Sequence, residues 1–125
     1  MQRLTTRILI ADDHGLVRHG LRLILDSQPD LEVVAEAGDG AEAVKLALTA
    51  EIDLAILDIS MPRMTGIEAF HQIRAIDPNA KIILSSGTVN AAQLQELLAM
   101  GLKGSIPKPY QPHELVAMVR KSLAD

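Results

Sequence analysis

The strongest constraint on the fold is a regular alternation of short apolar runs with helical patterns along a chain of 125 residues. Five runs are candidate strands: residues 8–11, 32–35, 54–57, 81–84 and the weaker 104–107. Their apolarity is mostly continuous rather than alternating, which favours strands buried on both faces of a sheet. Strands that alternate with helices form parallel sheets with right-handed crossovers. The sequence therefore predicts one α/β domain with a doubly wound sheet.

Apolar residues recur at helical spacing between these runs. In the first helix one apolar face leaves Arg18 and Arg22 on the opposite side, which we interpret as a solvated face. Pro112 suits the first turn of the last helix, where a missing N–H has no partner to lose. The predicted apolar faces are Val17, Leu21, Ile24 and Leu25; Val44, Ala47 and Leu48; Phe70 and Ile73; Leu94, Leu97 and Leu98; and Leu115, Val116, Val119 and Leu123.

Composition excludes several classes of protein. Hydrophobic residues make up 48% of the chain and aromatic residues only 2%, so the core is expected to be aliphatic. A net charge of −4 argues against nucleic acid held through its phosphates, and the absence of cysteine excludes disulfides and thiolate metal sites. No run approaches the roughly 20 apolar residues that span a bilayer, and the N-terminal run is too short for a signal peptide. We expect a soluble, cytoplasmic protein without a membrane partner.

Polar residues gather where the predicted strands end. Asp12 and Asp13 follow the first strand, Asp58 the third, Ser86 the fourth and Lys108 the fifth. In an open parallel sheet, ligands bind at the carboxyl ends of the strands, near the point where strand order reverses. Each aspartate alone would more commonly cap a turn or helix. Their joint placement at one edge instead predicts a binding site.

The charges of this group suggest a divalent cation. Three carboxylates at close range repel one another and raise at least one pKa. Mg²⁺ prefers oxygen ligands and is usually held by one or two carboxylates together with a phosphate. Three carboxylates, one Mg²⁺ and the Lys108 amine sum to zero charge, so the site can accept an anionic phosphoryl group.

Four short motifs occur in the same order along the chain as in a known family. ILIADDH lies at the end of the first strand, LDISMPRMTG at the third, ILSSG at the fourth and IPKP at the fifth. Together they resemble the receiver domain of two-component response regulators over essentially the whole chain. The resemblance implies a flavodoxin-like, five-stranded (βα)5 sheet of order 2-1-3-4-5 and a single receiver domain over residues 1–125, without an output domain.

The resemblance also implies roles for the residues of the acidic edge. Asp58 resembles the phosphoacceptor, which takes a phosphoryl group from a phosphohistidine of a sensor kinase or phosphotransfer protein. Asp13 and Asp58 would ligate Mg²⁺ directly, with the backbone carbonyl of Ser60 as a third ligand. Asp12 would act mainly through a metal-bound water. The domain would be a signalling phosphoacceptor that catalyses only its own phosphorylation and dephosphorylation, and would not be an enzyme acting on other substrates.

The remaining family positions include one departure. Lys108 would pair with one phosphoryl oxygen and the Ser86 hydroxyl would bind another, and the bond from Lys108 to Pro109 would be cis. Receivers usually carry Tyr or Phe three residues before the lysine, but Ser105 stands there. Tyr110 is no obvious substitute. We therefore predict ordinary phosphorylation with an atypical route of transmission.

Alternatives remain open for the function and the output. An aspartyl-phosphate phosphatase is less favoured, because such enzymes usually need a second Asp two positions after the nucleophile and Ser60 stands there. The opening DDHGLVRHGLRLIL resembles receivers that precede a helix-turn-helix domain, so we favour the N-terminal part of a DNA-binding transcriptional regulator. A stand-alone receiver that acts by docking is the alternative, and a phosphorylation-dependent homodimer is undecided. His14 is interpreted as a surface residue.

Overall fold

The computed structural model describes residues 5–86, 89–108 and 110–124, within which five strands alternate with five helices. The strands are β1 (Thr6–Ala11), β2 (Leu31–Ala37), β3 (Leu54–Asp58), β4 (Ile82–Ser86) and β5 (Gly104–Pro107). The helices are α1 (Gly15–Asp26), α2 (Gly40–Thr49), α3 (Gly66–Ile76), α4 (Ala91–Ala99) and α5 (Pro112–Leu123). The predicted alternation is confirmed, and four of the strands extend one to three residues beyond the predicted runs.

The strands form one parallel sheet in the order β2-β1-β3-β4-β5, as predicted. The chain moves from β1 outward to β2 and then returns to pair β3 on the other side of β1. Strand order therefore reverses between β1 and β3. The carboxyl ends of these two strands border the crevice in which such sheets bind ligands.

Helices cover both faces of the sheet and produce two apolar layers. On one face, α1 and α5 pack Leu21, Leu25 and Leu115 against Ile8 and Ile56 of the sheet. On the other face, α2, α3 and α4 form a second cluster, which includes Ala43, Phe70, Ile73 and Leu97. The core is predominantly aliphatic, as the composition predicted.

Burial on both faces applies to the centre of the sheet but not to its edges. Every residue of β3 and β4 is buried, and so are the last four of β1. The edge strands β2 and β5 each have one neighbour and contain partly exposed positions, with Glu32 of β2 exposed. The prediction of full burial is therefore wrong for the two edges.

Three predicted core positions do not belong to the packed layers: Leu98, Leu48 and Val116, of which Val116 is half-buried and lies outside the cluster formed by α1 and α5. Leu98 of α4 is 40% exposed, whereas its neighbour Leu97 is buried. Successive helical residues are about 100° apart, so the turn that buries Leu97 directs Leu98 outward. Leu48 of α2 is only half-buried and lies outside the packed cluster, to which Leu46 contributes instead.

The helices are short. The longest, α1 and α5, each contain 12 residues, whereas about 20 apolar residues are needed to cross a bilayer. Across the described part of the chain, no helix is long and apolar enough to span a membrane.

Two glycines allow close backbone approaches near the carboxyl edge of the sheet. A Cβ atom on Gly66, at the start of α3, would lie 2.4 Å from the backbone oxygen of Asp58. A Cβ atom on Gly40, at the start of α2, would lie 2.1 Å from the backbone oxygen of Met64. Since both obstacles are backbone atoms, relief requires a movement of the chain itself.

We expect Gly66→Ala to reduce the free energy of unfolding by about 1–3 kcal/mol, the usual cost of overpacking. Urea denaturation followed by circular dichroism measures it. Gly20→Ala is the matched control, because no atom lies within 4 Å of a Cβ at that position of α1. The control should gain about 0.4–1 kcal/mol from reduced chain entropy. Equal stability of the two variants would contradict the close approach.

Candidate functional site

The polar residues predicted at the strand ends converge on one edge of the sheet. Asp12 directly follows β1, Asp58 is the last residue of β3, Ser86 is the last of β4 and Lys108 directly follows β5. Because the strands are parallel, these ends lie at the same edge. The predicted site residues are therefore brought together by four separate strands.

Lys108 joins the two buried carboxylates. Its Nζ lies 3.0 Å from Asp12 Oδ2 and 3.3 Å from Asp58 Oδ1. The side chains of Asp12 and Asp58 are 2% and 6% exposed. The backbone N–H of Lys108 donates to the carbonyl oxygen of Ser86 at 2.8 Å, which holds the lysine beside β4. One amine thus compensates two carboxylates that have little access to water.

The site carries more negative charge than Lys108 offsets. Burial raises the pKa of Asp58 above its ordinary value, and Lys108 opposes this effect. The neighbouring charges of Asp12 and Asp13 raise the pKa further. Ionised Asp58 is therefore held at an energetic cost that another cation would relieve.

Lys108 stays charged despite its partial burial. Burial alone lowers the pKa of its amine, but the hydrogen bond to Asp12 and the charges of Asp58 and Asp12 outweigh that effect. The net pKa of Lys108 is raised. A permanent cation consequently faces the Asp58 carboxylate.

Asp13 and His14 extend the acidic group toward solvent. His14 Nδ1 lies 3.0 Å from Asp13 Oδ1 and 3.2 Å from Asp12 Oδ1. The side chains of Asp13 and His14 are 34% and 67% exposed. His14 is thus a surface residue, as predicted, but it belongs to the acidic edge rather than lying apart from it.

The loop that contains Ser60 is anchored at both of its ends. The N–H of Ile59 donates to the carbonyl of Ser85 at 3.0 Å, and the N–H of Gly66 donates to the carbonyl of Ile59 at 3.0 Å. Ser60 itself is exposed beside Asp58. The anchors keep its backbone at the carboxyl edge of β3.

A tight turn follows within the same loop. The N–H of Met64 donates to the carbonyl of Pro62 at 2.7 Å, and Arg63 between them has a φ of 66°. This left-handed conformation is uncommon for a residue other than glycine. Arg63 Nη1 lies 2.9 Å from Asp39 Oδ2, so an ion pair ties the turn to the start of α2.

Ser86 and the bond from Lys108 to Pro109 were both predicted to belong to this edge. Ser86 is buried at the end of β4, beside the backbone of Lys108. Pro109, on which the predicted cis bond depends, lies outside the described residues. The structure therefore locates Ser86 at the edge but leaves the bond from Lys108 to Pro109 a prediction.

Sequence reasoning missed an arginine network behind the acidic edge. Arg18 Nη1 donates to the carbonyl oxygen of Asp12 at 2.6 Å, and its Nε lies 3.3 Å from Glu36 Oε1. Arg22 Nη1 also pairs with Glu36. The interpretation of both arginines as a solvated face is wrong for Arg18, whose side chain is 25% exposed. The sequence did contain a signal for this network: Arg18 and Arg22 are four residues apart on α1, and Glu36 lies near the end of β2.

The structure shows the surroundings of Ser105, which stands where receivers usually carry Tyr or Phe. Ser105 is a half-buried residue of β5 that pairs with Leu84 of β4. Tyr110, the single tyrosine, packs against the layer formed by α1 and α5. Burial raises the pKa of its phenol, Lys108 lowers it, and the Asp12 and Asp58 charges raise it. The only tyrosine therefore lies within electrostatic reach of the site, but beyond the lysine.

The donors present fit a hard divalent cation. Three carboxylates offer only oxygen ligands, and burial together with the neighbouring charges of Asp12 and Asp13 raises the pKa of Asp58 despite Lys108. A double positive charge added to the Lys108 amine would balance the three carboxylates. Asp13, the most exposed of them, leaves room for the water ligands that Mg²⁺ retains.

In metal-free buffer, we expect Asp58→Asn to melt at a higher temperature than the wild type at pH 7. The raised native-state pKa of Asp58 means that its ionisation beside Asp12 and Asp13 costs stability at neutral pH. That cost disappears as the pH falls through the raised value toward about 3.9. Differential scanning calorimetry between pH 4 and 8 in EDTA should show a gain of a few degrees, equivalent to about 1 kcal/mol in a domain of this size.

Asp30→Asn is a control of opposite sign. The hydrogen bond from Arg120 lowers the pKa of the exposed Asp30 carboxyl. Its contribution to stability is therefore present at neutral pH and is lost as the pH falls through the lowered value. The asparagine variant should melt slightly lower than the wild type at pH 7 and equally at low pH. Two variants that shift in the same direction would contradict the assignment for Asp58.

Comparison with known proteins agrees with this geometry. A family model described as the response regulator receiver domain matches residues 8–120. The chemotaxis protein CheY of Thermotoga maritima is 40% identical over 115 residues, covering 92% of this chain and 95% of CheY. The transcriptional regulatory protein LiaR of Bacillus subtilis is 35% identical over 114 residues, covering 91% of this chain but 54% of LiaR.

A solved structure shares the fold and a related sequence. In the complex of CheX, CheY, BeF3 and Mg from Borrelia burgdorferi, the matching chain superimposes with a TM-score of 0.84 at 32% identity. The match covers 91% of this chain and 86% of that one. The present chain thus spans about half of the longer regulator LiaR and nearly all of the Thermotoga CheY. It belongs to the family of response regulator receiver domains, the signalling domains of two-component systems.

Proposed function

We propose that Asp58 accepts a phosphoryl group from a phosphohistidine of a sensor histidine kinase or a phosphotransfer protein. The observation that carries the proposal is the placement of the Asp58 carboxylate, buried at the end of β3 and 3.3 Å from the Lys108 amine. A carboxylate in such a site is an adequate nucleophile toward an activated donor. The receiver domain would comprise residues 1–125.

In the proposed transfer, a carboxylate oxygen of Asp58 attacks phosphorus as the P–N bond to the donor imidazole breaks. The imidazole leaves with the bonding electron pair and is protonated, and Asp58 becomes an acyl phosphate. Water reverses the modification by hydrolysing the acyl phosphate. Phosphoryl transfer depends chiefly on positioning and on neutralisation of charge, and this edge of the sheet together with a bound cation would supply both.

Asp13, Asp58 and the backbone carbonyl of Ser60 would hold Mg²⁺ directly, with Asp12 acting through a water. The cation would neutralise phosphoryl oxygens and reduce repulsion between the donor and the carboxylates. The anchors at Ile59 hold the Ser60 backbone at the correct edge for this role. The Mg present with the Borrelia CheY supports the choice of ion.

Lys108 and Ser86 would bind the transferred group. Lys108 already contacts Asp58, so its amine can exchange the carboxylate for a phosphoryl oxygen with little movement. The Ser86 hydroxyl would donate to another oxygen from the adjacent strand end. The loop after β4 would follow Ser86, which makes this contact the start of a conformational switch.

The relatives support two different outputs for the phosphorylated domain. Relatives of both kinds match, with LiaR a transcriptional regulator of about twice the matched length and CheY about as long as the match. We favour a receiver joined to a DNA-binding domain, in which phosphorylation controls transcription. A homodimer that forms on phosphorylation would be one route to that control. The alternative is a stand-alone receiver that docks on a protein partner, and the coding sequence beyond residue 125 discriminates between them. We infer a cytoplasmic location, because kinase phosphohistidines are formed there from ATP.

A phosphatase acting on other substrates remains the less favoured alternative. Ser60 occupies the position where an acid or base would be needed, and no second carboxylate replaces it there. The domain would therefore catalyse only its own phosphorylation and dephosphorylation.

Incubation with acetyl phosphate and Mg²⁺ should add one phosphoryl group to the wild-type chain. Intact-mass spectrometry should show the adduct with Mg²⁺ but not with EDTA, and never in Asp58→Asn. Asp30→Asn, which changes an exposed carboxyl far from the site, should be modified like the wild type. Folded wild-type protein that acquires no adduct would contradict the proposal, and an adduct in Asp58→Asn would assign the acceptor elsewhere.

Replacement of Lys108 separates binding of the cation from transfer. We expect Lys108→Met to slow phosphorylation about 10²-fold, the usual cost of removing a charge-stabilising donor. The same variant should bind Mg²⁺ several-fold more tightly, because the carboxylates lose their internal cation. Lys45→Met, an exposed position on α2, controls for the loss of one charge. Weaker Mg²⁺ binding in Lys108→Met would overturn this division of roles.

A further inference from the structure

We propose that Arg18 is a positioning residue of the acidic edge. It orients the peptide unit that joins Asp12 to Asp13 and thereby sets the affinity of this edge for Mg²⁺. The inference rests on the proposed function only in taking Asp13 as a ligand of the cation. Arg18 touches neither the cation nor the phosphoryl group, and it acts through a hydrogen bond to the backbone rather than through its charge.

Asp12 is almost fully buried, so its polar groups need partners inside the protein. Its backbone N–H donates to the carbonyl oxygen of Ala37 at 3.0 Å. Its carboxylate accepts the backbone N–H of His14 at 2.9 Å and the amine of Lys108 at 3.0 Å. Its carbonyl oxygen accepts from Arg18 Nη1 at 2.6 Å. Arg18 thus holds the carbonyl group, which the other three contacts do not.

The Asp12 carbonyl belongs to the same planar peptide unit as the Asp13 N–H. A bond to this carbonyl therefore fixes the direction in which the Asp13 Cα atom and its carboxylate leave the buried end of β1. The Asp13 side chain is 34% exposed, and it contacts the ring of His14, which is 67% exposed. Since that contact is open to solvent, Asp13 depends on its backbone for its direction.

The Arg18 guanidinium is itself held in place. Its Nε lies 3.3 Å from Oε1 of Glu36, near the end of β2, and its side chain is 25% exposed. A Cβ atom on Gly38 would lie 3.6 Å from its Nη1, and one on Gly15 would lie 3.8 Å from its Nη2. The guanidinium therefore lies between the start of α1 and the loop after β2. Its planar fork of donors suits a site where two acceptors have fixed directions.

Arg22, one turn further along α1, offers a matched comparison. It carries the same charge and pairs with the same Glu36. Its other contacts are with Asp26 at 3.5 Å and with the carbonyl oxygen of Val33 at 3.4 Å, rather than with the Asp12 carbonyl. Loss of Arg22 therefore removes a guanidinium and a partner of Glu36 but leaves the bond to Asp12 in place.

A positioning role and a charge role predict opposite changes in Mg²⁺ affinity. If Arg18 acted through its charge, its removal would leave the edge more negative and would tighten Mg²⁺ binding. If it positions Asp13, its removal weakens binding, because the ligand is no longer held in a suitable direction. The sign of the change therefore separates the two roles.

Isothermal titration calorimetry of metal-stripped chain with MgCl₂ at neutral pH measures this sign. We expect Arg18→Met to weaken Mg²⁺ binding about tenfold or more, the usual effect of removing a residue that orients a metal ligand. Arg22→Met should bind Mg²⁺ within about twofold of the wild type, or slightly more tightly. With acetyl phosphate, Arg18→Met should need more Mg²⁺ for half-maximal labelling, yet its rate at saturating Mg²⁺ should come within a few-fold of the wild type.

The backbone N–H of His14 gives a second readout that needs no metal, because it bonds to the Asp12 carboxylate. In EDTA, hydrogen exchange followed by NMR should show faster exchange of this amide in Arg18→Met. The amide of Leu21, in the middle of α1, should exchange as in the wild type. Arg22→Met should leave both amides unchanged.

Melting curves verify that each variant is folded. If Arg18→Met does not fold, Arg18→Lys takes its place: it keeps the charge, loses the planar fork, and should weaken Mg²⁺ binding several-fold. Tighter or unchanged Mg²⁺ binding in the Arg18 variant would overturn the inference, as would equal effects of the Arg18 and Arg22 substitutions. A wild type that binds Mg²⁺ with this dependence on Arg18 but acquires no phosphoryl group would refute the proposed function alone.

Discussion

The structure depends on how it accommodates two ionised carboxylates at the end of an apolar sheet. Asp12 and Asp58 lie almost without water at the ends of β1 and β3, and Lys108 contacts both. Removing carboxylates from water is costly, and a single amine compensates only part of their charge. Burial, and after it the charges of Asp12 and Asp13, raise the pKa of Asp58 against the opposing effect of Lys108. The fold thus maintains a site that attracts cations, and the topology of the sheet determines where that site lies.

Much of this arrangement could be predicted because it depends on short-range patterns. Continuous apolar runs at the centre of the sheet specify β1, β3 and β4, and parallel strands necessarily place their last residues at one edge. Asp12, Asp58 and Lys108 were therefore predictable as neighbours. The edge strands were less so, because β2 and β5 have one neighbour each and their exposed positions interrupt the pattern.

What escaped prediction depends on the reach of long side chains. Helical periodicity placed Arg18 on the solvent side of α1, but its guanidinium folds back to the Asp12 carbonyl and Glu36. Periodicity specifies the direction of a Cβ atom rather than the position of an atom several bonds further out. His14 was likewise predicted to be at the surface without its contacts to Asp12 and Asp13. Both omissions involve long or exposed side chains whose partners are not specified by the periodicity of the sequence.

The identity of residue 105 affects how phosphorylation at Asp58 could be transmitted to the rest of the domain. A serine in β5 offers no ring that could move between an exposed and a buried position. Tyr110 is already packed against the layer of α1 and α5. The charges of Lys108, Asp12 and Asp58 nevertheless shift the pKa of its phenol. Phosphorylation at Asp58 would therefore change the electrostatic surroundings of a residue in that layer. Coupling through this ring would lie beyond the lysine in the sequence, in the apolar layer on the opposite face of the sheet from α4.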